Sequence, residues 1–183
     1  MYKRSKAVVF LSTLMAGLLG LLPLIVVAQQ GEQAAPQVFT TCRGGAVKAT
    51  QVKTNDVATT RLEAPAGFIA LTGASSAFAV PAGTTDLAVV TFSAECRLFN
   101  ASPNDWVEVQ VRLDGVAMEP SDAVSPMAFC SNDSWEMCSA TFCQRVAGGA
   151  HTVSVFWKLV DNAPLGVLQG WLDDWALQVQ ISE

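Results

Sequence analysis

The stretch Trp106-Val107-Glu108-Val109-Gln110-Val111-Arg112-Leu113 alternates strictly, with Val107, Val109, Val111 and Leu113 on one side. A two-residue period over this length describes a strand with one buried and one wet face; wound into a helix, the same residues would scatter their apolar groups around the axis. Asp114-Gly115 follows directly. That dipeptide suits a type I′ turn, whose two central residues both need positive φ, and predicts a hairpin into Val116-Ala117-Met118. Pro120 ends the return strand early.

The same period recurs along the chain. Residues 87–96 place Ala88, Val90, Phe92, Ala94 and Cys96 on one face, after a turn expected at Pro81-Ala82-Gly83-Thr84-Thr85 and a short strand over 77–80. Residues 151–159 align Val153, Val155, Trp157 and Leu159, and the chain closes on Trp175, Leu177, Val179 and Ile181. Weaker strands are expected at 46–53, 68–71 and 137–144, with loops at 100–105 and 119–134. No segment after residue 28 keeps a 3.6-residue period between caps. About eight short strands joined by Gly, Pro, Asn and Asp turns predict an all-β fold, an antiparallel β-sandwich of jelly-roll type.

The N-terminus has a different character. Lys3, Arg4 and Lys6 precede an uncharged apolar run over 7–27, and Val26-Val27-Ala28 supplies the small residue that a signal peptidase needs. Residues 1–28 are therefore read as an export signal, 29–45 as a lead-in and 46–183 as the β-domain. Gly17, Gly20 and Pro23 break the apolar run and favour cleavage; retained, residues 7–27 would anchor the chain in a membrane. Either way the domain lies outside the cytoplasm. Loss of the signal leaves 8 of the 11 basic residues against 16 acidic ones, a net charge of about −8. Such a surface is a poor match for phosphate backbones, so nucleic acid is not an expected partner.

Export makes Cys42, Cys96, Cys130, Cys138 and Cys143 candidates for disulfides. Five cannot all pair within one chain. Cys96 ends a core-facing row and Cys130 follows apolar Met127-Ala128-Phe129, which makes a bridge between them the first choice. Cys138 and Cys143 would lie about 16 Å apart in one extended strand, against the roughly 6 Å between Cα atoms that a disulfide requires. They can bond only if residues 139–141 turn; otherwise Cys42 must reach one of them. The left-over thiol could join two copies of the chain. A zinc site from Cys130, Cys138, Cys143 and His151 matches no familiar spacing.

The catalytic signals are sparse. His151 is the single histidine, no Gly-X-Ser-X-Gly elbow accompanies it, and its place at the start of a strand beside Gly148-Gly149 suits a structural ring. Glu95, Asp105, Glu108, Asp173 and Asp174 could supply a carboxylate pair for glycoside hydrolysis. By parity Asp173 shares the face of Trp175 and Leu177, and Asp174 points away. Asp173 or Asp174 could also hold calcium together with Asp122 or Asp161, although no dedicated calcium loop is present and no cofactor is expected. Of five tryptophans, Trp157 and Trp175 fall on core rows. Trp106 lies opposite the valine row, Trp135 sits in a polar loop, and Trp171 precedes Leu172-Asp173-Asp174. Indoles beside carboxylates and amides suit sugar rings or protein contacts, so Trp106, Trp135, Trp171, Asp173 and Asp174 are the candidate ligand-binding residues.

Several strings are similar to segments of secreted bacterial β-sandwich proteins of unassigned role. They are residues 80–85 leading into 90–96, Val109-Gln110-Val111-Arg112-Leu113-Asp114-Gly115-Val116, Gly149-Ala150-His151-Thr152-Val153-Ser154-Val155, and Leu172-Asp173-Asp174-Trp175-Ala176-Leu177. The strand order resembles, distantly, the jelly rolls of C1q- and tumour-necrosis-factor-type modules. That resemblance implies a homo-oligomer, though no Gly-X-Y stalk is present, and it carries no catalytic residues over. The sequence thus leads to a secreted, non-catalytic binding or assembly module with a protein or glycan partner. Its two variants are a carbohydrate-binding module using exposed tryptophans and a structural subunit of a surface or filament assembly.

Overall fold

The computed structural model describes residues 42–56, 60–63, 67–121, 127–162 and 166–183. The apolar segment, the start of the lead-in and Asp122 lie outside them. Among the described residues there is no helix long and apolar enough to cross a membrane. Eight strands follow in chain order: β1 (Val47–Asn55), β2 (Thr60–Glu63), β3 (Ile69–Phe99), β4 (Trp106–Leu113), β5 (Val116–Ala117), β6 (Ala128–Cys130), β7 (Glu136–Val160) and β8 (Gln169–Ser182). All pairings are antiparallel and form one hydrogen-bonded sheet in the order β1-β8-β3-β7-β4-β5, with β2 also on β8 and β6 also on β4.

Two strands are far longer than the sequence suggests. The segments expected at 68–71, 77–80 and 87–96 are one strand, β3, of 31 residues, and those at 137–144 and 151–159 are one strand, β7, of 25. The turn expected at Pro81–Thr85 is instead a break in register inside β3: Val80 pairs with Gly149, but Thr85 pairs with Ala147. An interruption of this kind bends a strand without ending it. Gly148 fits the bend because a Cβ there would meet the Pro81 carbonyl oxygen at 2.4 Å.

Each long strand changes partners along its length. The second part of β3 pairs with β8 and the first part of β7, while the second part of β7 pairs with β4 and the first part of β3. Side chains from both portions enter one core. Phe92 of β3 meets Trp175 of β8 and Phe129 of β6, and Val90, Val107, Val155, Trp157 and Leu177 are wholly buried. The Asp114-Gly115 turn has φ of 51° and 86°, the two positive values that its sequence calls for.

Strand β4 departs from expectation on its second face. Glu108 and Gln110 are buried along with the valines, and Trp106 is half-buried. Phe68 and Phe156 lie over this side: Lys158 Nζ is 4.4 Å from the Phe68 ring centre, and the Arg112 guanidinium 4.0 Å from that of Phe156. Lys158 Nζ also reaches Glu108 Oε2 at 3.0 Å, supplying the counter-charge that a buried carboxylate requires.

Two disulfides form, Cys42–Cys143 and Cys96–Cys130, and Cys138 keeps its thiol. The first spans 101 residues and ties the chain before β1 to β7, so it removes much loop entropy from the unfolded state. Replacing Cys42 and Cys143 together by serine is expected to lower the unfolding free energy by about 4 kcal/mol. Urea titration checks this, and a loss under about 1 kcal/mol would contradict it.

Candidate functional site

Strand β8 carries the residues that compose the site, because it changes face partway along. Ser93 pairs with Ala176, but Glu95 pairs with Asp173, so β8 holds one residue more than β3 over this interval. The extra residue is a bulge centred on Asp174, whose φ is +38°. Beyond it, Trp175, Leu177, Val179 and Ile181 point into the core; before it, Leu172 and Gly170 do. Asp173 therefore does not share the face of Trp175, as uninterrupted parity requires. It lies outward with Trp171 and Gln169.

Directly opposed residues of antiparallel strands share a face, and here they form a patch. Arg61 of β2 pairs with Trp171 of β8, which pairs with Arg97 of β3. Alongside runs Glu63, Gln169 and Phe99, and on the other side Asp173, Glu95 and Met137. The guanidinium carbons of Arg61 and Arg97 lie 5.8 and 5.9 Å from the Trp171 ring centre, within cation–π range. Because β2 and β3 flank β8, the two cations hold the indole from either side. Phe99 meets Trp171 edge-on at 6.3 Å and is 46% exposed, leaving an open ring.

Polar contacts fix this patch. Arg61 pairs with Glu63, Gln169 Nε2 donates to Glu63 Oε1 at 3.3 Å, and Arg97 Nε donates to the Asp133 carbonyl at 2.8 Å. The last bond brings in the turn before β7, where the Leu98 amide also donates to the Asn132 carbonyl. Trp135, 43% exposed, stands on that turn beside Glu136, the partner of Cys96. Trp171, Asp173 and, through this turn, Trp135 thus belong to one region. Trp106 does not: it is on β4, which pairs with β5, β6 and β7, and its buried Nε1 has no hydrogen-bond partner among the described residues. Asp174 is exposed at the bulge, where its amide bonds to Asp173 Oδ1.

The other acids have local tasks. Asp105 is 1% exposed and spends both oxygens on backbone amides, of Ser102 at 2.6 Å and Asn162 at 2.8 Å. Such a carboxylate closes a loop. Glu108 is held by Lys158. Among the described residues, the candidate metal ligands that gather in a group of three are Cys130, Glu136 and Cys138, within 4.8 Å of one another, and Cys130 is already bonded to Cys96. Among the described residues, Asp173, Asp174 and Asp161 belong to no such group, and Asp122, the other acid of the calcium arrangement, lies outside those residues.

Arg61, Glu63, Arg97, Phe99 and Gln169 were not singled out by the sequence. A signal for two of them existed: the alternation of residues 88–96 continues through Leu98, which turns Arg97 and Phe99 outward. Among the described residues, clefts lie elsewhere too. One of ≈ 510 Å³ adjoins the Cys42–Cys143 bridge with Arg43, Glu119, Gln144 and Arg145; another, of ≈ 260 Å³, contains Lys48 and Asp86.

His151 has acceptors on both ring nitrogens. Nδ1 is 2.7 Å from Asp114 Oδ2 and Nε2 is 2.9 Å from the Ala147 carbonyl. A carbonyl and a carboxylate only accept, so both contacts are complete when the ring is an imidazolium. The Asp114 bond raises the His151 pKa above 6.5, with burial opposing and the Ala147 carbonyl assisting. The His151 bond and then the Thr152 amide lower that of Asp114 below 3.8. Burial, reinforced by Glu136, pushes the Cys138 thiol up to about 11.

No protein-family model and no curated protein matches the chain. Among solved structures, it is similar to a chain in the structure of infectious bursal disease virus Gx strain, at 15% identity and a TM-score of 0.42, over 81% of this chain. That match spans 35% of the viral chain. It is also similar to the EclA C-terminal domain, a sugar-binding protein, at 16% identity and a TM-score of 0.29, over 70% of this chain and 78% of that one.

Two expectations follow from the titrating groups. The stability that His151 contributes is complete below pH 6.5 and is lost as pH climbs through its raised folded value. The Asp114 contribution is complete above pH 3.8 and is lost as pH falls through its lowered value. Thermal melts taken upward from pH 6.5 should show a steeper fall in Tm for the wild type than for His151→Asn. Cys138 should react slowly with iodoacetamide at neutral pH and faster in Glu136→Gln, because less of the thiol is protonated there. Mass spectrometry of the alkylated peptide reads this, and equal rates would refute the role given to Glu136.

Proposed function

We propose that the chain is a non-catalytic extracytoplasmic binding module, a jelly-roll-like β-sandwich whose layers are the two portions joined by β3 and β7, and that its ligand is a glycan lying on the Trp171 face. The observation that carries this reading is the cross-strand patch itself. An open aromatic ring, Phe99, and an indole stand among two guanidiniums, a carboxamide and the carboxylates of Glu63, Glu95 and Asp173. Saccharides present C–H faces to aromatic rings and hydroxyl edges to planar polar groups, and the two are set side by side along this sheet face. Two disulfides accord with an oxidising compartment. The non-catalytic part of the proposal rests on the employment of Asp105 and Glu108 in structure and on the position of Glu95 and Asp173 outside both clefts.

A second reading, an assembly subunit, is favoured by β1. It stands at one end of the strand order, is nine residues long, and exposes Val47 and Val52 at 56% and 62%. An open edge of that length can add a strand from another copy.

A glycan array probed with the full chain tests the first reading. Selective binding is expected, weakened about tenfold or more in Trp171→Ala and Phe99→Ala. An array without a single bound glycan would overturn it, and a stable oligomer by light scattering would then support the assembly reading.

A further inference from the structure

The core face of the sheet is left open at one place. Register pairs Ala49 with Ile181 and Gln51 with Val179, so these side chains point the same way. Val179 and Ile181 are buried, yet Ala49 and Gln51 are exposed. Between β1 and the Phe78–Pro81 segment of β3 lies the cleft of ≈ 260 Å³. Two polar pairs frame it: Lys48 Nζ with Asp86 Oδ1 at 2.7 Å, and Ser76 Oγ donating to Gln51 Oε1 at 2.7 Å. The register shift between Val47 and Ala49 leaves Lys48 out of step with β8 and lets it reach Asp86.

Asp86 points to a ligand. It is 1% exposed, and its Oδ2 is buried with no hydrogen-bond partner among the described residues. Buried acceptors are satisfied in nearly all folded proteins, and Asp86 is one of the residues lining the cleft, beside any donor that enters it. We infer that this cleft is a second binding site, separate from the Trp171 face, and that it takes a single neutral, hydroxyl-bearing ring such as one sugar residue.

Three properties select that class. The volume is just below the ~300 Å³ at which small-molecule sites commonly begin, enough for one ring. Phe78, Pro81, Val179 and Ile181 supply an apolar wall for C–H groups. The Lys48–Asp86 pair is neutral overall: its free oxygen opposes an anion, its ammonium opposes a cation, and a hydroxyl satisfies both by donating to Oδ2 and accepting from Nζ.

The test is titration of the ¹⁵N-labelled full chain with a panel of methyl hexosides and with cyclohexylammonium, followed by amide shifts. At least one hexoside should move the amides of residues 49–51, 78–81 and 179–181 saturably by about 50 mM, in the weak range expected of a single ring. Asp86→Asn should weaken this about tenfold or more. Ala49→Leu fills the cleft from an exposed position without touching the ion pair, so it should abolish binding with the fold intact even if Asp86→Asn does not fold. Trp171→Ala should leave these shifts unchanged, which separates failure here from failure of the glycan face. Absence of any hexoside response, wild-type affinity in Ala49→Leu, or tighter binding of cyclohexylammonium than of every hexoside would each overturn the assignment.

Discussion

Antiparallel pairing between β3 and β7 is the contact on which everything else hangs. It runs from Ile69 against Trp157 to Cys96 against Glu136, and both portions of the sheet are built outward from it. Strands β8, β1 and β2 attach on one flank, and β4, β5 and β6 on the other. Because both strands bend at the same level, near Pro81 and Gly148, the two portions remain continuous in hydrogen bonding while contributing to one core. Every contact in this pairing joins residues distant in sequence, so little of the fold can form from local structure alone.

Charge is arranged to different ends in different places. Inside, Asp105 caps amides and Glu108 faces Lys158, and at the exposed hairpin tip Asp114 orders His151. Outside, on the β2–β8–β3 surface, cations bracket an indole and carboxylates face each other across strands, as Glu95 does Asp173. Like charges directly opposed are unfavourable in a sheet whose only task is to hold together. Their placement beside Trp171 and Arg97 is consistent with a surface shaped for contact.

The period-two signal made most of the strands legible. It located the core faces of β4, of the second parts of β3 and β7, and of the end of β8, and it made Asp114-Gly115 a turn. The Cys96–Cys130 bridge was also readable, since one cysteine ended a core row and the other followed an apolar triplet. Continuity was not: Pro81 and Gly148-Gly149 read as breaks because local chemistry does not distinguish a bend from an end. The inaccessible side of β4 could not be seen either, because Phe68, distant in sequence, covers it. Of the site, Trp171 and Asp173 were visible by type. Their arginine neighbours come from two other strands, and only the register brings them together.

The bulge at Asp174 gives β8 something like a reading frame. Upstream of it even-numbered positions face inward; downstream, odd-numbered ones do. Substitution of single residues leaves that frame intact, so the outer surface can vary its chemistry while the core keeps its own. Loss or gain of one residue at this point is a different kind of event. It would exchange inside and outside for the whole upstream segment, carrying Trp171 into the core and Leu172 into solvent. The surface and the fold are thus free to diverge through point changes but are locked together against changes in length.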